Sequence, residues 1–154
     1  MNIIDKIISN FIKNKSLYIG EKVTISEHMI QSAMIAEKVK SSNSLICSCL
    51  LHDYGHFILE DPDKLVRKKI DGKHEDIGYE YLKKFFKKDV VEPIKYHVLA
   101  KRYLAKEKKY FNSLSEASKT SLKLQGGALN KKESKEFEKN KFFKMQLNLE
   151  NSMN

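Results

Sequence analysis

Histidine is scarce in this chain, five residues in 154, yet four of the five stand where helices could gather them: His28, His52, His74 and His97. His52 is followed directly by Asp53, and the pair closes the apolar run Ser48-Cys49-Leu50-Leu51 ahead of Tyr54-Gly55-His56. An imidazole and a carboxylate buried side by side at the end of a hydrophobic helix are costly unless something strong satisfies both. A di- or trivalent cation does so, and neutral imidazole together with carboxylate suits zinc, iron, manganese or cobalt. Any one of these histidines alone reads more simply as a core or surface residue. The set points to a metal, because a helical bundle collects ligands from helices far apart in sequence.

The elements that must position these residues are helical nearly throughout. Ile3, Ile4, Ile7, Ile8, Phe11 and Ile12 follow the i, i+3, i+4 rule and mark a first, amphipathic helix. Tyr18-Ile19-Gly20 breaks it. Thr24-Ile25-Ser26-Glu27 has the form of a capping box, so a second helix carrying His28 is expected to about Lys40. Ser41-Ser42-Asn43-Ser44 reads as a turn and cap before a third, apolar helix that delivers His52 and Asp53. Residues 60–72 hold Asp61-Pro62-Asp63 and Asp71-Gly72, turn signals that predict a loop with one short helical piece. The patterning then predicts a helix from about His74 to Lys87 and another from Val90 to Leu104 with Pro93 in its first turn. A further helix over Leu114–Leu124 is expected to end at Gln125-Gly126-Gly127, and a last charged helix to run from Lys131 to about Leu149. No strand and no repeat is indicated. The reading is one all-α domain, a helical bundle spanning 1–154.

Composition bounds the rest. A chain that is 41% hydrophobic builds a real core, and no apolar run approaches the ~20 residues of a membrane span. The N-terminus carries Asp5 early and has no small-residue cleavage site, so a cytoplasmic protein is expected. Cys47 and Cys49 lie two apart in a helix, point to different faces and cannot readily bridge; they read as buried small hydrophobes. The net charge of +9 raises nucleic-acid binding. It is lysine charge spread over every segment, with Arg67 and Arg102 the only arginines, which reads as solvated helix faces rather than a groove reader.

The order H…HD…H…H given by His28, His52-Asp53, His74 and His97 resembles the HD-domain metalloenzymes. Further motifs narrow the likeness. Tyr18-Ile19-Gly20-Glu21, His97-Val98-Leu99-Ala100-Lys101-Arg102-Tyr103-Leu104, Leu114-Ser115-Glu116-Ala117-Ser118 and Leu124-Gln125-Gly126-Gly127 resemble the mixed-valence di-iron HD oxygenases of organophosphonate breakdown, from about Tyr18 to Phe143. Within that family the motifs resemble the glycine-forming 2-amino-1-hydroxyethylphosphonate dioxygenase type. The resemblance implies two iron ions, Fe(II)/Fe(III), on His28, His52, Asp53, His74 and His97, with Asp53 bridging; other divalent metals could occupy a purified sample. It implies a small phosphonate and dioxygen as reaction partners, oxygenation at the phosphonate C1, and cleavage of the C–P bond with release of phosphate. Lys101 and His56 would meet the phosphonate anion, Ser118 and Ser121 would donate hydroxyl hydrogen bonds, Glu21 would take the substrate amine, and Tyr18 would sit over the site. The family's sixth ligand is an aspartate on the last helix. Ungapped register from Gln125-Gly126-Gly127 and Phe137-Glu138 puts that slot on Met153, with Glu150 the nearest acid three residues earlier, so the last helix reads as truncated or diverged. Two other readings share the HD motif: a phosphohydrolase whose metal activates a water, and a non-catalytic remnant that binds metal without turnover.

Overall fold

The computed structural model describes residues 1–18, 21–59 and 73–152, and among these described residues it holds ten helices. Among the described residues the sole β pairing is an isolated antiparallel bridge, Leu17 to Thr24. The expected loop over 60–72, Ile19, Gly20 and Met153 lie outside the described residues.

Local chemistry sets the first elements. α1 (Ile3–Lys13) begins where the Asn2 side chain accepts from the Asp5 N–H. It buries Ile7 and packs Ile3 and Phe11 against Leu51, Tyr54, Leu82 and Ile94, which leaves Ile4, Ile8 and Ile12 exposed. α2 (Ile25–Lys38) starts at the predicted capping box, with both reciprocal bonds made between Thr24 and Glu27. It stops short of Lys40, whose backbone is left-handed at φ 58°. α3 (Asn43–Leu51) is capped by Ser42 and ends just before His52 and Asp53. A four-residue helix, α4 (Gly55–Ile58), follows; periodicity cannot reveal so short an element.

The later boundaries correct several expectations. α5 (His74–Leu82) ends before Lys87, and α6 (Lys88–Leu104) starts earlier than Val90. Pro93 therefore sits in the second turn, not the first, where it leaves the Asp89 carbonyl without its helical donor. The Ser48 hydroxyl lies 3.5 Å from that oxygen and 2.7 Å from the Val90 carbonyl, fixing α3 against the start of α6. α7 (Lys108–Ser113) precedes α8 (Glu116–Leu124), which is capped by Ser115 and ends as predicted at Gly126 and Gly127, both at positive φ. The single last helix is in fact two, α9 (Lys131–Glu138) and α10 (Phe143–Ser152). Asn140 makes the break: its side-chain oxygen accepts from the Phe142 N–H and from the Gln146 amide, while Phe143 packs edge to face on both Tyr103 and Phe137.

α6 is the hub, with α3, α5 and α10 packed on it; α2 lies on α3, α4 on α5, and α10 also reaches α2 and α3. Leu82, Ile94 and Leu149 are fully buried around it. Each contributes about 1.5–3 kcal/mol of burial to the packing that holds the histidine-bearing helices together. The fold is all-α, and among the described residues no helix is long and apolar enough to cross a membrane. Cys49 is buried and Cys47 half-buried; both are free thiols.

Candidate metal centre

Four helices and one turn deliver the site: α2 brings His28, the end of α3 His52, the α3–α4 turn Asp53, the first residue of α5 His74, and the middle of α6 His97. The structure gathers all five. Asp53, 3% exposed, lies at the centre with each carboxylate oxygen facing two imidazoles. Its Oδ2 is 3.0 Å from His52 Nε2 and 3.3 Å from His28 Nε2, and those nitrogens are 3.1 Å apart. Its Oδ1 is 2.9 Å from His74 Nε2 and 3.5 Å from His97 Nε2, themselves 3.0 Å apart. Two trios that could each hold an ion, His28–His52–Asp53 and Asp53–His74–His97, thus share one carboxylate.

Tautomers decide what those trios want. His52 Nδ1 lies 2.6 Å from the Cys49 carbonyl and His97 Nδ1 2.6 Å from the Ile94 carbonyl. A carbonyl only accepts, so both Nδ1 atoms carry the proton and each ring, when neutral, aims a bare Nε2 lone pair at the Asp53 carboxylate. Lone pair against lone pair at such distances is repulsive unless a cation stands between. Burial drives the His52 imidazole down from its ordinary value, against the pull of Asp53, so a proton is a poor candidate there. At His97 burial also disfavours charge, but the Asp53 carboxylate outweighs it and the ring is pushed up. Burial would raise the Asp53 carboxyl; His52 and the surrounding imidazole contacts prevail and hold it well below the usual carboxylate range. The donor set fits first-row transition ions, which the two trios with their shared Asp53 carboxylate would hold.

A close backbone approach sets the spacing. A Cβ at Gly55 would stand 1.9 Å from the His74 carbonyl oxygen, and one at Gly78 3.2 Å from the Gly55 nitrogen. Glycine at both places lets α4 rest on α5, which brings His74 to Asp53.

The other predicted residues take up distinct places. The Tyr18 ring stacks on His28, centroids 4.1 Å apart and planes 20° from parallel, and its hydroxyl hydrogen-bonds with Ser118. Burial first, then the charges of Asp53 and Glu150, push the Tyr18 phenol upward, so it remains protonated. Glu21 is half-buried, its N–H bonded to the Tyr18 carbonyl at 2.7 Å. His56 stacks on His74 at 4.1 Å, with Nε2 3.9 Å from Asp53 Oδ1 and a buried Nδ1 that has no hydrogen-bond partner. Burial and then the neighbouring His74 push its imidazole down to about 3. Lys101 is 8% exposed, one helical turn beyond His97. Ser121 is half-buried one turn after Ser118 on α8; no contact ties it to the histidines.

Two further carboxylates are buried near the site, of which the sequence pointed to Glu150 alone. Glu75 is buried beside His74, where an acid in a first helical turn reads as no more than a match to the helix dipole. Glu150 faces inward on α10 with Gln146 and Leu149, 4% exposed, and accepts from the Tyr110 hydroxyl at 2.5 Å. It is not one of the side chains that close on either trio. Its charge reaches Tyr18 and Cys49, and the latter thiol, chiefly through burial, is pushed up to about 12.

Comparison with known proteins agrees with this geometry. Residues 25–136 match the HD domain family model. The chain belongs to the HD-domain family. It is 48% identical over 124 residues to the [1-hydroxy-2-(trimethylamino)ethyl]phosphonate dioxygenase (glycine-betaine-forming) of Leisingera caerulea, covering 80% of this chain and 63% of that one. To the hydroxymethylphosphonate dioxygenase of Gimesia maris it is 42% identical over 127 residues, 81% of this chain and 63% of the relative. An uncharacterized protein of Acanthamoeba polyphaga mimivirus is 40% identical over 135 residues, 86% and 62% of the two chains. The chain thus spans a little under two thirds of the length of the relatives it matches.

Proposed function

We propose that the chain forms a single HD domain acting as a di-iron oxygenase of a small hydroxylated organophosphonate, with His28, His52, Asp53, His74 and His97 holding the metals and Asp53 bridging. The observation that carries this is the pair of imidazoles whose Nδ1–H groups are locked on carbonyls, leaving two lone pairs aimed at one carboxylate. Two irons in the Fe(II)/Fe(III) state would supply the activation of dioxygen, and oxygenation at C1 of the substrate would let the C–P bond break with release of phosphate.

The chain's own residues bind and orient. Lys101, buried one turn past His97, supplies positive charge for the phosphonate oxygens. His56, neutral at working pH, offers an N–H rather than a charge, and its unpartnered Nδ1 supports that role. Ser118 and Ser121 present hydroxyls from α8, and Tyr18 roofs the site as a protonated phenol that donates. Glu21, next to that roof, would receive a cationic substrate tail. The Leisingera relative's named substrate carries a trimethylamino group and the Gimesia relative's carries none, so Glu21 is where selection between such substrates would act.

The test is anaerobic loading with ferrous iron, followed by oxygen uptake and phosphate release on 2-amino-1-hydroxyethylphosphonate, its trimethylammonium analogue and hydroxymethylphosphonate. Oxygen consumed in step with phosphate released supports the assignment. Hydrolysis of a phosphoester without oxygen uptake would replace it with a phosphohydrolase, and metal binding without turnover of either kind with a non-catalytic remnant.

A further inference from the structure

Three ligand histidines present a ring Nδ1 whose surroundings are defined, and they are not held alike. His52 and His97 each donate Nδ1–H to the carbonyl three residues back, Cys49 and Ile94. Among the described residues His74 makes no such bond. It is the first residue of α5, preceded by Lys73 in a left-handed conformation at φ 49°, so no earlier turn of its own helix offers a carbonyl. What stands by its Nδ1 instead is Glu75, with Oε2 3.6 Å away. Glu75 is 8% exposed, and that oxygen is buried with no hydrogen-bond partner.

A buried carboxylate oxygen left unbonded costs about 1–3 kcal/mol or more, and natural structures keep few without a reason. We propose that Glu75 is the positioning residue of the Asp53–His74–His97 metal site, its carboxylate taking the His74 Nδ1 proton in a hydrogen bond and so turning Nε2 toward the ion. The present separation is just beyond hydrogen-bonding range, and a shift of well under 1 Å, of the size expected when an imidazole seats on a metal, closes it. The two ions then differ in their surroundings. Among these three rings, the His52 ring leans on a neutral carbonyl, whereas His74 leans on an anion that raises its basicity as a ligand. Glu75 also pushes the neighbouring His97 ring upward through its charge, placing it in range of both histidines of that trio. The inference rests on the metal reading above and adds a residue which that reading does not use.

Glu75→Gln tests it, because glutamine keeps the shape and an acceptor oxygen but removes the charge; Glu75→Asp, with a shorter reach, is the companion variant. In chelator-treated protein Glu75→Gln should melt at or above the wild-type temperature, since a buried charge has been taken away. With Mn(II) or anaerobic Fe(II) added, one of the two binding events should weaken 10–100-fold while the other stays within about threefold. In iron-loaded protein the one-electron potential of the affected ion should rise, by about 59 mV for each tenfold loss of ferric over ferrous affinity. Glu75→Asp should fall between the two. A Glu75→Gln protein that is markedly less stable without metal would show a purely structural role and overturn the proposal. So would wild-type affinity at both positions with an unmoved potential. Wild-type protein that takes up no metal would overturn both this inference and the function on which it rests, whereas two ions in both forms with identical affinities would defeat this inference alone.

Discussion

Because each oxygen of Asp53 serves a different trio, its loss should behave unlike the loss of any histidine. Asp53→Asn keeps the side chain's size but removes the anion common to both clusters, so neither ion should remain. His28→Ala breaks only the trio at Oδ2, and His97→Ala only the trio at Oδ1, so each should retain one ion. The magnitude follows from linkage. An ion present at one hundred times its dissociation constant stabilises the fold by about 2.7 kcal/mol. A domain of this size gains about 2–4 °C in melting temperature per kcal/mol, so each ion should add about 5–11 °C. Wild type should therefore rise by roughly twice that increment over its chelated form, the single-histidine variants by one increment, and Asp53→Asn by none. The increment is the quantity to read, because Asp53→Asn also alters the metal-free baseline. The Asp53 carboxyl is held well below its unfolded value, so its contribution is present above about pH 4 and is missing from the variant at neutral pH. Thermal melts with and without chelator, alongside elemental analysis of desalted protein, give both numbers. Two ions in Asp53→Asn, or none in His28→Ala and His97→Ala alike, would refute the shared-carboxylate geometry.

Other perturbations act on separate parts of the site. Gly55→Ala drives a methyl into the His74 carbonyl and should cost about 1–3 kcal/mol of overpacking, with weaker metal uptake; unchanged melting and loading would show that α4 and α5 separate at no cost. Lys101→Ala should weaken phosphonate binding to the manganese-loaded protein by about 1.5–3 kcal/mol, the worth of a hydrogen bond to a charged group, and unaltered affinity by calorimetry would remove Lys101 from the site. In chelator-treated protein, stability should fall as pH drops below about 6.5, by up to about 1.4 kcal/mol per pH unit for each of His52 and His56. Their folded-state values lie below the unfolded one, so the unfolded chain binds the protons. His97, pushed up, contributes stability that is present below about 6.5 and lost as pH rises, placing the optimum near that value. A flat profile between pH 4.5 and 7.5 would contradict all three shifts.

How much of this could be read from sequence follows the range of the forces involved. The capping box at Thr24, the glycine stop after α8 and the His-Asp pair ending an apolar helix are local patterns, and each stands where expected. What was hidden is non-local. Gly55 and Gly78 look like ordinary helix breakers until α4 is laid on α5 and their backbones nearly touch. Pro93 reads as a helix start because proline favours that place, and its position in the second turn shows only once α3 packs on α6, with Ser48 against the Val90 carbonyl. The unpartnered Oε2 of Glu75 is a property of three-dimensional surroundings and has no sequence signature at all.

The tail shows the same limit where it matters most. A continuous charged helix from Lys131 would have kept its acids on a solvated face, and on that view Glu150 is a near miss for an aspartate slot at Met153. The break at Asn140 turns α10 back over α6, α2 and α3 and buries Gln146, Leu149 and Glu150. A carboxylate is not carried into that interior for packing, since its desolvation outweighs what its two methylenes return. The Tyr110 hydroxyl bond at 2.5 Å offsets part of that cost, and the field of Glu150 falls on the Tyr18 phenol that covers His28. Glu150 on the last described helix thus brings negative charge toward the roof of the metal site. Burial and Asp53 push the Tyr18 phenol up ahead of it, so the helix adds to a shift that the site itself already sets.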